Sequence, residues 1–136
     1  MDTKKEIIES LFADYNDNLE MVDIITNQLL LLEAESNILS ETQASYSTDY
    51  KNDLEMLANL REQKRRLQQK IYLRDILFIQ LNDFEKTIIG MRYMDKLPVY
   101  EIIKNLFISQ SNYYRKYNKM YDKLVKFYDS FEELFL

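Results

Sequence analysis

Residues 98–115 read Pro98-Val99-Tyr100-Glu101-Ile102-Ile103-Lys104-Asn105-Leu106-Phe107-Ile108-Ser109-Gln110-Ser111-Asn112-Tyr113-Tyr114-Arg115. A proline in the first turn of a helix costs nothing, because the N–H it lacks has no partner there and its fixed φ is already helical. Ile102, Ile103 and Leu106 then form a buried face, Phe107-Ile108 makes a turn, and Ser109 caps a further helix that starts at Gln110 and is expected to reach Tyr128. Tyr113, Tyr117, Met120 and Leu124 recur at spacings of four, three and four, which makes them the inward row of that helix. On the same wheel Ser111, Arg115, Asn118 and Asp122 point away, flanked by Tyr114 and Lys119. A short helix, a tight turn and a longer helix with polar and basic residues outward is the pattern of a helix-turn-helix whose second helix enters the DNA major groove.

Upstream, Asn82-Asp83-Phe84-Glu85 has the spacing of a capping box, and Ile88, Ile89, Met91 and Tyr93 extend a helix over residues 83–94. Gly90 inside it costs about 1 kcal/mol relative to alanine, so we read it as permitting a close helix crossing. At the other end of the chain Thr3-Lys4-Lys5-Glu6 is a second capping box. From Ile8 the row Leu11, Tyr15, Val22, Ile25, Leu29, Leu32, with Asn18 in line, predicts one helix over residues 3–34. Ile24, Leu30 and Leu31 widen its apolar stripe beyond what one partner helix covers. Residues 36–49 are rich in Ser, Thr and Asn, whose side chains compete with helical hydrogen bonds, and read as a connector. Thr48 or Asp49 then caps a second long helix carrying Leu54, Leu57, Leu60, Leu67 and Ile71, with Lys64 interrupting the row, as far as Leu81. Two such helices fold back as an antiparallel hairpin. The expected organisation is therefore a hairpin over residues 1–81, for self-association or partner binding, and a helix-turn-helix unit over 82–136.

The rest of the 136-residue chain argues for the same class. One glycine and one proline leave almost no turn chemistry, while good helix formers abound, so the chain is expected to be all-α. The absence of histidine and cysteine removes the commonest general base, thiol nucleophiles and the usual zinc sites, so no catalysis, cofactor or metal is expected. The longest apolar runs, such as Leu29-Leu30-Leu31-Leu32, fall far short of the ~20 residues that span a bilayer, so we expect no membrane association and a cytoplasmic protein. The net charge of −5 is unevenly spread: residues 1–49 carry 2 basic and 11 acidic side chains, residues 50–81 carry 7 and 4, and residues 82–128 carry 9 and 5. DNA responds to a local basic face rather than to the sum.

The stretch from Arg92 to Ser109 resembles the helix-turn-helix of the promoter-reading C-terminal region of bacterial sigma factors. Arg92-Tyr93, Glu101-Ile102, Leu106 and Ile108-Ser109 stand where that family has an Arg-Tyr pair, a Glu-Ile pair, a Leu, and an aliphatic residue followed by Ser or Thr. The resemblance covers about a third of the chain, residues 81–124. Ile103 and Phe107 depart from it, the family commonly having a small residue and a turn glycine there. The acidic helical segment ahead of the unit and the Tyr113-Tyr114-Arg115 run look like Gram-positive phage transcriptional regulators of the RinA and ArpU type. That resemblance implies a phage-encoded regulator in a bacterial host cell that reads double-stranded DNA.

The residues expected to touch DNA are Gln110, Ser111, Asn112, Tyr114, Arg115, Lys116, Asn118 and Lys119. Lys64-Arg65-Arg66 is either a phosphate-gripping patch or a solvated helix face. One module gives little specificity, so a homodimer reading two half-sites is expected. Two other readings stand beside this one. In one, the acidic hairpin is a protein-interaction module for a host factor such as RNA polymerase. In the other, the chain is a DNA-packaging binder of the small-terminase kind, although those place the DNA unit first.

Overall fold

The computed structural model describes residues 3–41 and 48–135. It is all-α: α1 (Thr3–Ala13), α2 (Tyr15–Glu41), α3 (Thr48–Ile79), α4 (Asp83–Ile89), a π-helical turn (Gly90–Met94), α5 (Val99–Leu106) and α6 (Gln110–Phe135). The chain forms two compact units, one from Met1–Asn16 with Ile71–Leu136 and one from Asp17–Lys70.

The core of the first unit explains that division. Ile8, Leu11 and Phe12 of α1 share one buried cluster with Leu77 and Leu81, Ile88 and Ile89 of α4, Ile102 of α5, and Tyr113, Tyr117, Met120, Tyr121 and Leu124 of α6. Burying each such side chain contributes about 1.5–3 kcal/mol, so α1 is held where its apolar face is covered. The unbroken helix expected over residues 3–34 is thus corrected. Helix α1 stops at Ala13, a turn at Asp14 separates it from α2, and its row serves the same core as α6. Nor does compactness divide at residue 81, because Leu77 and Leu81 belong to that core as well.

In the second unit Ile25 and Leu29 of α2 bury against Leu57 of α3, with Leu32, Leu60 and Leu67 packed around them. Arg61 donates to Glu33 across the pair at 3.1 Å. Six residues separate the end of α2 at Glu41 from the start of α3 at Thr48, so the two helices run antiparallel. Ile24, Leu30 and Leu31 stay exposed, as their place off the main row implies. Helix α2 continues to Glu41, so the connector does not begin at Ser36; residues 42–47, and the Thr3, Thr48 and Asp49 capping side chains, lie outside the described residues.

Around α4 the sequence reading is met in detail at one end and corrected at the other. Asn82 Oδ1 accepts from the Glu85 amide at 2.8 Å and Glu85 Oε1 accepts from the Asn82 amide at 2.9 Å, closing the capping box. Gly90 makes no close crossing, since a Cβ there would meet nothing within 4 Å. It opens the π turn instead, and its carbonyl accepts from the Asp95 amide at 2.9 Å. Pro98 sits one position earlier than expected, as the extended residue ahead of α5, with ψ of 159°.

Candidate nucleic-acid interface

Pro98 and Phe107 set the limits of α5. Phe107 takes a left-handed conformation, φ 55° and ψ 43°, and its amide returns to the Ile103 carbonyl. That backbone is costly for any residue with a Cβ, yet the Phe107 side chain stands 94% exposed. Ser109 then starts α6 as expected, its Oγ accepting from the Asn112 amide at 3.1 Å.

The inward row is buried throughout: Tyr113, Tyr117, Met120 and Leu124. It is also bolted from below by hydroxyls. Tyr93 in the π turn meets Tyr117 at 3.0 Å and Tyr121 at 2.7 Å, oxygen to oxygen, and Arg92 donates to Tyr113 at 3.0 Å while its guanidinium lies 4.5 Å from the Tyr117 ring centre. Burial, reinforced by Tyr93, pushes the Tyr117 and Tyr121 hydroxyls far above the usual tyrosine range, and burial raises Tyr113 as well against the opposing pull of Arg92. From the other side Lys5 of α1 sits 5.6 Å from both the Tyr117 and Tyr121 ring centres. The outward face of α6 therefore rests on a fixed frame.

The eight expected contact residues all lie on the accessible side, Asn112 half-buried and the others exposed. Five of them fall into two groups, and Gln110, Tyr114 and Asn118 line neither. Ser111, Asn112 and Arg115 line a shallow depression of about 440 Å³ with Ser109, and within it Arg115 donates to Asn112 Oδ1 at 2.7 Å. Lys116 and Lys119 instead line a separate hollow of about 310 Å³ with Asn82, Phe84, Glu85 and Lys123. There the Lys116 ammonium lies 4.5 Å from the Phe84 ring centre, and Lys123 pairs with Glu85. Lys123 was missed by the sequence reading, although the spacing of three and then four residues that runs from Lys116 through Lys119 to Lys123 along one helix edge is legible.

Residues 50–125, more than half of the chain, match the family described as a protein of unknown function, DUF1492. The chain belongs to this family. Comparison with curated proteins and with solved structures gives no match. The DUF1492 segment holds α4, the π turn, α5 and all eight outward residues of α6, and it omits α1 and α2. Among the described residues no group of acidic side chains could hold a metal ion, and no helix is long and apolar enough to cross a membrane.

Lys64-Arg65-Arg66 lies on the other unit. Arg65 and Arg66 both donate to Glu62, at 2.6 Å and 3.1 Å, and these bonds, Arg65 first, draw the Glu62 carboxyl down to about 2. That arrangement is a solvated ion-paired face.

Proposed function

We propose that the chain is a sequence-specific transcriptional regulator of the sigma-like, RinA and ArpU kind, phage-encoded, in which α5 and α6 form a helix-turn-helix on double-stranded DNA. The observation that carries this reading is the division of the α6 surface. Ser111, Asn112 and Arg115 form a polar, hydrogen-bonding group near the N-terminus of the helix, where a recognition helix meets base edges, and the lysine edge lies beside it. Lysines along one edge neutralise phosphates and release counterions, which supplies affinity without sequence. The guanidinium of Arg115 can take both acceptors of a guanine edge, which supplies sequence preference. Two copies, joined outside this surface, read two half-sites.

Selection of bound duplexes from a random pool, followed by titration of variants on the selected and a scrambled duplex, tests this. Arg115→Ala should cost about 1–3 kcal/mol on the selected site and relax preference at one base pair, with less effect on scrambled DNA. Lys119→Ala should weaken both alike and lower the log–log salt slope by about one. Equal losses on both duplexes for Arg115→Ala would remove Arg115 from the base-reading role. A chain that selects no sequence and binds no duplex sinks the proposal.

A further inference from the structure

The unit Asp17–Lys70 has two flanks beside its buried seam, and they differ. On one, the pair is closed by the Glu33–Arg61 ion pair, and Leu30 stands alone among polar neighbours. On the other, Met21, Ile24, Gln28, Leu31 and Glu35 recur at spacings of three and four along α2, a second row about a quarter-turn from Ile25 and Leu29. Helix α3 answers with Met56, Leu60, Gln63, Leu67 and Lys70. The rows meet over a groove of about 310 Å³ lined by Gln28, Leu31, Leu32, Met56 and Leu60, with Leu31 exposed to 74% and Met56 to 51%.

The rims of this groove are opposite in charge. The α2 edge of the groove carries Glu20 and Glu35, and the α3 edge carries Lys70. Among the described residues Glu20 and Glu35 on the α2 rim and Lys70 on the α3 rim form no ion pair. A surface with an acidic edge, an apolar floor and a basic edge is complementary to itself under a two-fold rotation.

We propose that a second copy of this chain occupies the groove, closing a four-helix bundle with its two-fold axis along the helices, so that α2 of each copy lies on α3 of the other. The alternative axis, across the helices, stacks α2 on α2 and sets acid against acid. With the axis along the helices, Leu31 of one copy faces the level of Met56 and Leu60 of its partner, because the axis leaves heights unchanged. This deepens the two-copy part of the reading above, and its test uses no DNA.

Sedimentation of the intact chain should give a dimer. Leu31→Glu and Met56→Glu should each weaken it by about tenfold or more, while Leu30→Glu, on the other flank, leaves it unchanged. Glu20→Gln or Lys70→Gln should each weaken the dimer several-fold, because the same register sets Glu20 of one copy at the level of Lys70 of its partner. The chain has no cysteine, so thiols can be placed singly. A mixture of Leu31→Cys and Met56→Cys chains should cross-link faster than either variant alone. Circular dichroism of each variant checks that its helices persist. A monomer at tens of micromolar, a dimer indifferent to Leu31→Glu, a dimer tightened by the Gln substitutions, or Leu31→Cys linking to itself as readily as to Met56→Cys would each overturn the proposal. A monomer that still selects DNA overturns only this inference, and a groove-dependent dimer that binds no duplex overturns only the DNA reading.

Discussion

The two units are built from the same helix-forming alphabet and finish very differently. Met1–Asn16 with Ile71–Leu136 buries a cluster drawn from α1, α3, α4, α5 and α6, tied together by tyrosine hydroxyls, whereas among the described residues of Asp17–Lys70 the buried apolar cluster is Ile25, Leu29 and Leu57. Among the described residues Ser36 Oγ and Asp53 Oδ2 in the smaller unit, and Arg74 Nε in the larger, are buried with no hydrogen bond, each a cost of about 1–3 kcal/mol. Stability in the first unit comes from many sequence-distant contacts, so it can hold a surface still. In the second, two helices share one seam, and much of the apolar surface that would complete a core faces outward. The first is a closed core with a fixed surface, and the second a seam with an apolar flank left exposed.

Truncating the two cores should separate them most. Met120→Ala should cost about 2–5 kcal/mol and lower the melting temperature of the unit that carries α6. Leu29→Ala should fall at or below the lower end of that range, because its thin surroundings can close around the loss, and its cost should depend on protein concentration. Equal, concentration-independent losses in thermal melts would erase the distinction.

High pH should divide them next. The hydroxyls of Tyr113, Tyr117 and Tyr121 are raised in the fold above their unfolded value near 10. A raised pKa for an acid kept neutral contributes stability that is complete below the unfolded pKa and is lost as pH climbs above it. The part of the tyrosinate absorbance that belongs to these three of the eleven tyrosines should therefore appear only together with loss of α6 structure, above about pH 10. Tyr121→Phe should move that transition, and the full tyrosinate amplitude reached without unfolding would show that the cluster is less closed than its geometry.

Asn82→Ala should cost about 1 kcal/mol by opening the capping box, read as a small drop in the melting temperature. Its effect should be confined to the larger unit.

Local rules made part of this legible. Four- and three-residue spacing found the buried row of α6 and the outward side opposite it, because a helix wheel needs only neighbours in sequence. Ser109 and the Asn82–Glu85 box were legible for the same reason. Partner choice was not. The row from Ile8 through Leu32 keeps its spacing across Asp14, so nothing local shows that Ile8 and Leu11 serve one core while Ile25 and Leu29 serve another. Tyr121 escaped because it sits one step beyond Met120, and the bond its hydroxyl makes to Tyr93, 28 residues away, is not visible from its neighbours in sequence. Gly90 was misjudged because a helix-interior glycine suits both a close crossing and a change of helical pitch, and the sequence does not distinguish them.

The smallest effect should come at Phe107, and its sign carries the information. A left-handed φ of 55° costs a residue with a Cβ about 1 kcal/mol that glycine does not pay. The side chain is 94% exposed, so Phe107→Gly forfeits almost no packing within the chain, and the amides of Phe107 and Ile108 can still return to the Ile103 carbonyl. The substitution should therefore raise stability by about 0.5–1 kcal/mol, seen as a small rise in the melting temperature. A fall would mean that the ring makes contacts that hold the turn. A rise accompanied by unchanged duplex titration would leave Phe107 without a role in the proposed interface. A rise accompanied by weaker binding would place the exposed ring against the DNA or the second half-site, with strain at the turn tolerated for the contact it presents. That last pattern would sharpen the contrast between the units, since the unit with stability to spare is the one able to carry a strained, outward-facing aromatic residue beside its recognition helix.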